Sequence, residues 1–416
     1  MEFDIRRKKF LDKMEENSAA IIYSGVSKIS SEDEFYDFVV NRNFYYLTGI
    51  EQENSVLLLV KGIGVANEYL FIDPFDPVKV RWTGKKLSNE EAGEKSQMQN
   101  VFPNTGLESR IDLVFSKENN QYGNIKKLYI DLSPEIKVAH ELTTKQVAEN
   151  LKEKYDLEVE NVYPILMRMR MIKSDEEVEE LRKAIDKTNV GLNQIISRLR
   201  PGLYEYELSD FFDFNGREKG VPNNSFPTIV GAGINSTCLH YPTKDCLIQE
   251  GDVVLFDLGL RHNLYCADIS RTYPVNGTFS PIQREIYEAV LVTNKAVMAY
   301  AMPGRTLKDL NNLAIERLKN ECVRRKLISP DEDIRKYYFH SVSHHLGLDT
   351  HDISDRDLPL EAGNVITDEP GLYFPQHKCG VRLEDDILIT DRGAINLSEG
   401  IIKEVSDIEK MLKTRR

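Results

Sequence analysis

Hydrophobic and polar residues follow one another along the first half of the chain in the pattern of an α/β protein. Short apolar runs are typical of buried strands, and they read SAAIIYSG, NSVLLLVKG and LYIDLS. Charged segments with the composition of helices lie between or after them, and they read KKLSNEEAGEKS and ELTTKQVAENLKEKY. Strands that alternate with helices predict a layered sheet. We therefore expect a small α/β domain in this half.

The second half has longer helical stretches and strands that come in pairs. The pattern predicts helices at about 175–199, 206–220, 281–302 and 306–326. It predicts strands near 226–231, 252–260, 264–275, 364–374 and 380–390. Because short turns join the paired strands, we expect an antiparallel sheet with helices on one side, which is an α+β arrangement.

The change between the two patterns falls at residues 160–175. Ser174 and Glu177 have the spacing of a capping box, and acidic residues follow Ser174 at the positive end of the predicted helix. An apolar stripe is then predicted on this helix at Val178, Leu181, Ile185 and Val190. A chain of 416 residues is also too long for one ordinary core. We predict two domains, at 1–165 and 166–416.

Asp257 and Asp268 stand in segments that otherwise read as buried strands, DVVLFDLGL and LYCADISRTYPV. A hairpin turn at His262 and Asn263 would place the two aspartates directly opposite each other, with Cβ atoms roughly 4.5–5.5 Å apart. Two like charges at that separation need either a shared proton or a bound cation.

A second hairpin repeats this arrangement near the end of the chain. A turn at Gln376 and His377 would place Glu369 opposite Glu384, in VITDEPGLYF and GVRLEDDILIT. The segment between the hairpins, FHSVSHHLGLDTHD, contains half of the chain's eight histidines. Four carboxylates and one imidazole suit a pair of divalent ions, with Mn²⁺, Co²⁺ and Zn²⁺ all compatible.

The composition argues against several other classes of protein. A formal net charge of −13 disfavours nucleic acid as a partner. No apolar stretch approaches the length of a membrane span, and the first residues lack the apolar core of a signal peptide, so we expect no membrane association. Five cysteines without CxxC spacing predict reduced thiols, and we expect a cytoplasmic protein.

The motifs together resemble those of the pita-bread metallopeptidases, and among them the aminopeptidase P group. The similar stretches span most of residues 165–395 in the family's order, and they read MRMRMIKSDEEVEELRKA, RPGLYEYEL, LHYPTKD, DVVLFDLGLRHNLYCADISRTYPVNG, SHHLGLDTHD, ITDEPGLYF and GVRLEDDILIT. In the first half, NRNFYYLTGIEQENSVLLL and VRWTGKKLS resemble the family's accessory domain. The resemblance implies a C-terminal pita-bread fold, an antiparallel sheet covered by helices, after a creatinase-like α/β domain.

The resemblance also implies a metal centre with five ligands. Asp257 would bind one ion. Asp268 and Glu384 would bridge two ions, and His344 and Glu369 would complete the second site. The implied ions are two Mn²⁺, although related enzymes accept other divalent ions.

Four residues are expected to take part in the reaction itself, and they are His240, His351, Glu369 and Arg382. His240 or His351 would donate a hydrogen bond to the developing oxyanion. Glu369 would carry a proton from the attacking water to the leaving nitrogen. His240 and His351 would therefore also contact the substrate.

Three further residues are expected to contact the substrate. Arg382 shares a strand face with Glu384, and it would pair with Glu369, with a substrate carboxylate, or in a structural salt bridge. His340 would line the pocket for proline. Trp82 would close a pocket, in its own subunit or in a neighbouring one.

The implied activity is that of an Xaa-Pro aminopeptidase, which hydrolyses the bond between an N-terminal residue and a following proline. The resemblance also implies a homodimer or a larger homo-oligomer. A prolidase, which cleaves Xaa-Pro dipeptides only, is the alternative enzyme, and the metal site does not separate the two. A non-catalytic member that binds peptides would typically have lost ligands, and this sequence retains all five.

Overall fold

The computed structural model describes residues 1–78, 80–116, 121–133, 136–139 and 141–414. The chain divides into two compact units, one of Met1–Arg168 and one that begins at Met169. Among the described residues, no helix combines the length and the apolar character needed to cross a membrane.

The first unit is built on a mixed sheet. Its helices are α1 (Phe3–Lys13), α2 (Arg42–Thr48), α3 (Val80–Thr83), α4 (Asn89–Ser96), α5 (Leu107–Phe115), α6 (Thr144–Tyr155) and α7 (Tyr163–Met171), which crosses the boundary. Its strands are β1 (Ser18–Tyr23), β2 (Ile29–Ser31), β3 (Glu34–Phe35), β4 (Val56–Gly62), β5 (Val65–Ile72), β6 (Val101–Pro103), β7 (Lys127–Ile130), β8 (Lys137–Ala139), β9 (Leu142–Thr143) and β10 (Glu158–Asn161). The main sheet has the order β10-β7-β1-β4-β5-β6.

The local sequence explains the elements of this unit. The three predicted strands are confirmed as β1, β4 and β7, whose apolar residues are almost all buried. The two predicted helices are confirmed as α4 and α6, and each begins with a capping box in which a Ser or Thr side chain accepts from the third helical N–H. Strands and helices packed in this way form the expected α/β domain.

The second unit combines long helices with antiparallel strands. Its helices are α8 (Asp175–Arg198), α9 (Glu205–Asn215), α10 (Pro281–Tyr300), α11 (Leu307–Arg324) and α12 (Val405–Lys413). Its strands are β11 (Ile229–Ala232), β12 (Val253–Leu258), β13 (Arg261–His262), β14 (Tyr265–Cys266), β15 (Ile269–Pro274), β16 (Val365–Asp368), β17 (Gly371–Phe374), β18 (Cys379–Arg382), β19 (Asp385–Thr390) and β20 (Gly393–Asn396). Two three-stranded sheets, β11-β12-β15 and β16-β19-β20, are accompanied by the ribbons β13-β14 and β17-β18.

Helix α8 shows how the sequence sets the packing of the second unit. The predicted capping box is confirmed, because Ser174 accepts from the N–H of Glu177, whose carboxylate accepts from the N–H of Ser174. The predicted apolar stripe through Val178, Leu181 and Ile185 is buried, but its predicted last member, Val190, is 58% exposed. Val190 lies five positions after Ile185, which on a helix of 3.6 residues per turn brings it to another face.

Three of the predicted strands are each interrupted by a short break. The chain leaves the ladder at Ala267–Asp268 between β14 and β15, at Glu369–Pro370 between β16 and β17, and at Leu383–Glu384 between β18 and β19. Each break contains one of the carboxylates singled out in the sequence. Asp268, Glu369 and Glu384 therefore lie at positions where the strand pairing is interrupted.

The hairpin that carries Asp257 and Asp268 requires glycine at position 259. A Cβ atom on Gly259 would lie 1.9 Å from the carbonyl oxygen of Ala267. Gly400, in the same unit, has no atom nearer than 3.8 Å to the corresponding point. We expect Gly259→Ala to lower the free energy of unfolding by about 1–3 kcal/mol through overpacking. Gly400→Ala is the matched control, and chemical denaturation of both variants measures the difference; equal stabilities would contradict this close approach.

Candidate metal centre and active site

The predicted site residues of the second unit line one cavity of about 750 Å³. They are His240, Asp257, Asp268, His340, His344, His351, Glu369, Arg382 and Glu384. Phe226, Pro227, Ile229 and Leu239 add apolar surface to the same wall. Trp82 lies on α3 of the first unit and is 86% exposed; its proposed contact with substrate stays a prediction.

The first hairpin has a different register from the predicted one. Asp257 pairs with Ser270, not with Asp268, and the turn is formed by Asn263 and Leu264, whose φ angles are 45° and 65°. A tight hairpin turn of this kind needs positive φ at both central residues, which asparagine tolerates, and Asn263 is further held by a 2.7 Å hydrogen bond to Glu180. The turn lies one residue later in the chain than predicted, so the strand pairing moves by two residues. Asp257 and Asp268 therefore still lie on the same face of the hairpin, but they are diagonal neighbours and not direct partners.

The second hairpin has the predicted register. Gly371 pairs with Arg382 and Asp368 pairs with Asp385, so Glu369 and Glu384 lie across from each other in the break between these pairs. The N–H of Glu384 donates to the carbonyl oxygen of Ser270 at 3.0 Å. This bond ties the two hairpins together and brings the two carboxylate pairs into one cluster.

His344 presents its Nε2 atom to the carboxylates. Nε2 lies 3.4 Å from Oδ2 of Asp268 and 3.5 Å from Oε1 of Glu369. Its other nitrogen, Nδ1, lies 3.1 Å from the carbonyl oxygen of His345, which can only accept, so Nδ1 carries the hydrogen. The lone pair of Nε2 is therefore directed into the cluster, as a metal-ligating histidine requires.

Burial in this cluster opposes ionisation of its carboxylates. The pKa values of Asp268 and Glu384 are raised well above their usual range by burial and by neighbouring carboxylates. Burial also raises the pKa of Glu369 to about 7. Four carboxylates with one guanidinium, that of Arg382, leave an excess of negative charge in a buried space.

These residues fit a metal ion. Asp268, His344 and Glu384 each offer a ligand atom within 4.8 Å of the others. Oxygen donors with one imidazole suit hard or borderline divalent ions. A cation at this place would also compensate the carboxylates whose charge the protein alone does not balance.

Arg382 pairs with Asp257, and its predicted pairing with Glu369 is not seen. Its Nη2 atom donates to Oδ2 of Asp257 at 2.6 Å, and its Nε atom donates to Oγ of Ser270 at 2.7 Å. Its Nη1 atom donates to the hydroxyl of Tyr373 at 3.1 Å. The guanidinium therefore orients the carboxylate of Asp257.

Sequence reasoning missed two residues that organise the site. The hydroxyl of Ser270 lies 3.0 Å from Oδ1 of Asp257 and 2.7 Å from Oε2 of Glu384, between the two hairpins. The hydroxyl of Tyr373 lies 2.9 Å from Nε2 of His340. Each lies at an even spacing from a singled-out residue on its strand, two after Asp268 and four after Glu369. The period of two was the signal that could have found them.

Comparison with known proteins identifies the family. Residues 179–391 match metallopeptidase family M24, and residues 3–122 match the aminopeptidase P N-terminal domain. The chain is 33% identical to the Xaa-Pro aminopeptidase of Haemophilus influenzae over 99% of its own length and 97% of that protein. It is 31% identical to the Xaa-Pro aminopeptidase of Escherichia coli K12, over 100% and 98%.

The chain belongs to metallopeptidase family M24. Solved structures agree with this assignment. A protein from Bacillus anthracis, described as a candidate aminopeptidase P, superposes with a TM-score of 0.94 at 40% identity, over 100% of this chain and 98% of that one. Zn-substituted Escherichia coli aminopeptidase P in complex with product superposes with a TM-score of 0.89 at 29% identity, with the same coverage. The predicted family, the predicted fold class and the predicted hydrolase activity are thereby confirmed.

The raised pKa values predict that metal binding depends on pH. At pH 6 the carboxyl group of Glu369, with a pKa of about 7, is mostly protonated, and a metal ion must displace that proton. We expect the affinity for Mn²⁺ to rise between about pH 6 and about pH 8, by up to tenfold per pH unit for each proton released. Calorimetric titration in buffers of different ionisation enthalpy counts the protons. An affinity that is independent of pH, with no proton released, would refute this interpretation.

Proposed function

We propose that this enzyme removes the N-terminal residue from peptides whose second residue is proline. The observation that carries the proposal is the cavity, which combines the carboxylate and imidazole cluster with apolar lining residues. The full-length relatives named above are Xaa-Pro aminopeptidases, which supports the same substrate class. Escherichia coli aminopeptidase P has also been solved with the inhibitor Pro-Leu.

Proline in the second position explains why such a cavity is needed. The bond to be cleaved is a tertiary amide, whose nitrogen has no hydrogen to donate. The enzyme must therefore hold the proline ring and the free amino group. The apolar wall suits the ring, and the carboxylate cluster suits the amino group.

We propose that Asp257, Asp268, His344, Glu369 and Glu384 hold two divalent ions, most simply Mn²⁺. When bound, such ions lower the pKa of water towards neutrality and polarise a carbonyl group. Asp268 and Glu384 belong to different hairpins and would be shared by both ions, since each offers a ligand atom within 4.8 Å of the other and of His344.

Glu369 is suited to move the proton. Its carboxylate lies 3.5 Å from Nε2 of His344, where it would accept a proton from the attacking water. The same carboxyl group then gives the proton to the leaving proline nitrogen. Protonation is required because an anionic amide nitrogen is a poor leaving group.

His351 and His240 are suited to stabilise the oxyanion. The imidazole of His351 lies with its ring centre 4.3 Å from that of His344. Burial and neighbouring cationic groups lower the pKa of His351, so it is neutral at pH 7 and offers an N–H to a carbonyl oxygen. His240 lines the same cavity, and its side chain is exposed there.

His340 is suited to line the proline pocket as a neutral ring. Its Nδ1 donates to the carbonyl oxygen of Ser341 at 2.8 Å, and its Nε2 accepts from the hydroxyl of Tyr373. Burial lowers the pKa of His340 to about 4. Both nitrogens are therefore engaged, and the ring contributes a fixed surface.

Several finer features complete the proposal. Trp82 closes the substrate pocket, in its own subunit or in a partner of a homodimer or larger homo-oligomer. The enzyme works in the cytoplasm, for which the five free cysteines are a supporting observation.

The proposal predicts metal-dependent cleavage that depends on Asp268. Metal-free protein should release the first residue of Xaa-Pro-Yaa tripeptides only after Mn²⁺ is added. Asp268→Asn should lower kcat/KM by more than about 100-fold. Loss of a residue that only supports a metal ligand costs up to about 100-fold, and loss of a ligand itself should cost more. Asp391→Asn makes the same change at an exposed turn and should leave the rate unchanged.

Other outcomes of this assay would contradict the proposal. Cleavage of Xaa-Pro dipeptides with no cleavage of tripeptides would indicate a prolidase. No cleavage of either, by protein that binds Mn²⁺, would indicate a peptide-binding member without activity.

A further inference from the structure

The segment Met169–Ser174, part of the motif noted in the sequence, is not part of the cavity lining and contains the two cations of a buried ion-pair cluster. Nη2 of Arg170 lies 2.9 Å from Oδ2 of Asp349 and 2.5 Å from Oδ1 of Asp352. Nζ of Lys173 lies 3.1 Å from Oδ2 of Asp352. The side chains of Arg170, Lys173 and Asp352 are all at least 97% buried. Arg170 and Lys173 thus each form an ion pair with a different oxygen of the Asp352 carboxylate.

Asp352 is the residue directly after His351, and the loop that leads to it folds around its carboxylate. A Cβ atom on Gly347 would lie 2.2 Å from Oδ2 of Asp352, so only glycine fits beside the carboxylate. The N–H of Gly347 donates to the carbonyl oxygen of Asp349 at 3.1 Å. The loop from His344 to Asp352 is therefore closed on itself around the ion-pair cluster.

One carbonyl group connects this cluster to the metal centre. The carbonyl oxygen of His345 accepts from the N–H of Asp352 at 2.9 Å and from Nδ1 of His344 at 3.1 Å. The position of Asp352 therefore sets the position of the acceptor that fixes the tautomer and the ring orientation of His344. The same anchor sets where His351 enters the cavity.

We propose that Arg170, Lys173 and Asp352 are positioning residues that hold His344 and His351 in place for metal binding and catalysis. None of the three residues is among those that line the cavity, and the contacts connect them to His344 through the carbonyl group of His345. The proposal rests on the proposed metal-dependent function. Arg170 and Lys173, at the start of the second unit, would then support the reaction as well as the packing of the core.

A charge-balanced double variant separates positioning from stability. Lys173→Met with Asp352→Asn removes one cation and one anion, and leaves Arg170 with Asp349 as a partner. The matched control is Arg284→Met with Glu409→Gln, which removes an ion pair between α10 and α12. The readout is calorimetric titration with Mn²⁺, which does not depend on activity. It is made at a temperature at which circular dichroism shows that the protein is folded.

We expect the double variant to bind Mn²⁺ about 10–100-fold more weakly than the wild type, as for residues that support a metal-bound histidine. The control should bind Mn²⁺ as the wild type does. Lys173→Arg, which keeps the cation, should bind more tightly than Lys173→Gln. Should the double variant not fold, these two single variants decide the matter by the same titration.

A folded double variant that binds Mn²⁺ within twofold of the wild type would overturn the proposal, as would equal affinities of Lys173→Arg and Lys173→Gln. These results are independent of the peptide assay. Wild-type protein that binds Mn²⁺ but cleaves no Xaa-Pro peptide would refute the proposed function and leave the positioning test intact.

Discussion

The second unit depends on the crowding of four carboxylates and one imidazole in one cavity. Asp257, Asp268 and Glu384 are buried, Glu369 is partly buried, and the four come from different strand segments. Burying a charge without a partner has a large unfavourable free energy. The raised pKa values of Asp268, Glu369 and Glu384 express that cost, and a divalent cation relieves it.

The rest of the unit can be understood as the means of holding these groups together. Breaks in the strands free Asp268, Glu369 and Glu384 from the ladders, so their side chains converge. Ser270 and Arg382 join the hairpins by hydrogen bonds to the carboxylates. The histidine loop also contains Asp352, which forms buried ion pairs with Arg170 and Lys173. The second unit thus contains two electrostatic centres: a carboxylate cluster whose residues would hold cations, and an ion-pair cluster that is balanced within the chain.

The sequence predicted the second hairpin better than the first, and the reason is local. At Glu369 and Glu384 the apolar strands flank a single short turn, so the register follows from the turn alone. At Asp257 and Asp268 the turn depends on which residue accepts positive φ, and Asn263 is anchored by Glu180, a contact that is distant in sequence. The family and the five candidate ligands could be inferred because their contexts are short and contiguous. Even spacing from Asp268 and Glu369 marks Ser270 and Tyr373 as candidates, but their roles, and that of Asp352, come from tertiary contacts that spacing does not specify. The exposure of Val190 shows that a stripe must keep to helical spacing.

The carboxylate cluster is unfavourable without cations, and thermal unfolding of the metal-free protein measures that cost. The comparison is between the wild type and Asp268→Asn with Glu384→Gln, at about pH 8 and about pH 5. Because both pKa values are raised in the folded state, ionisation costs stability at the higher pH and much less at the lower one. We expect the neutral variant to unfold at a higher temperature than the wild type at pH 8, and the difference to shrink at pH 5. We also expect Mn²⁺ to stabilise the wild type far more than the variant. A metal-free wild type at least as stable as the variant at pH 8 would contradict this interpretation.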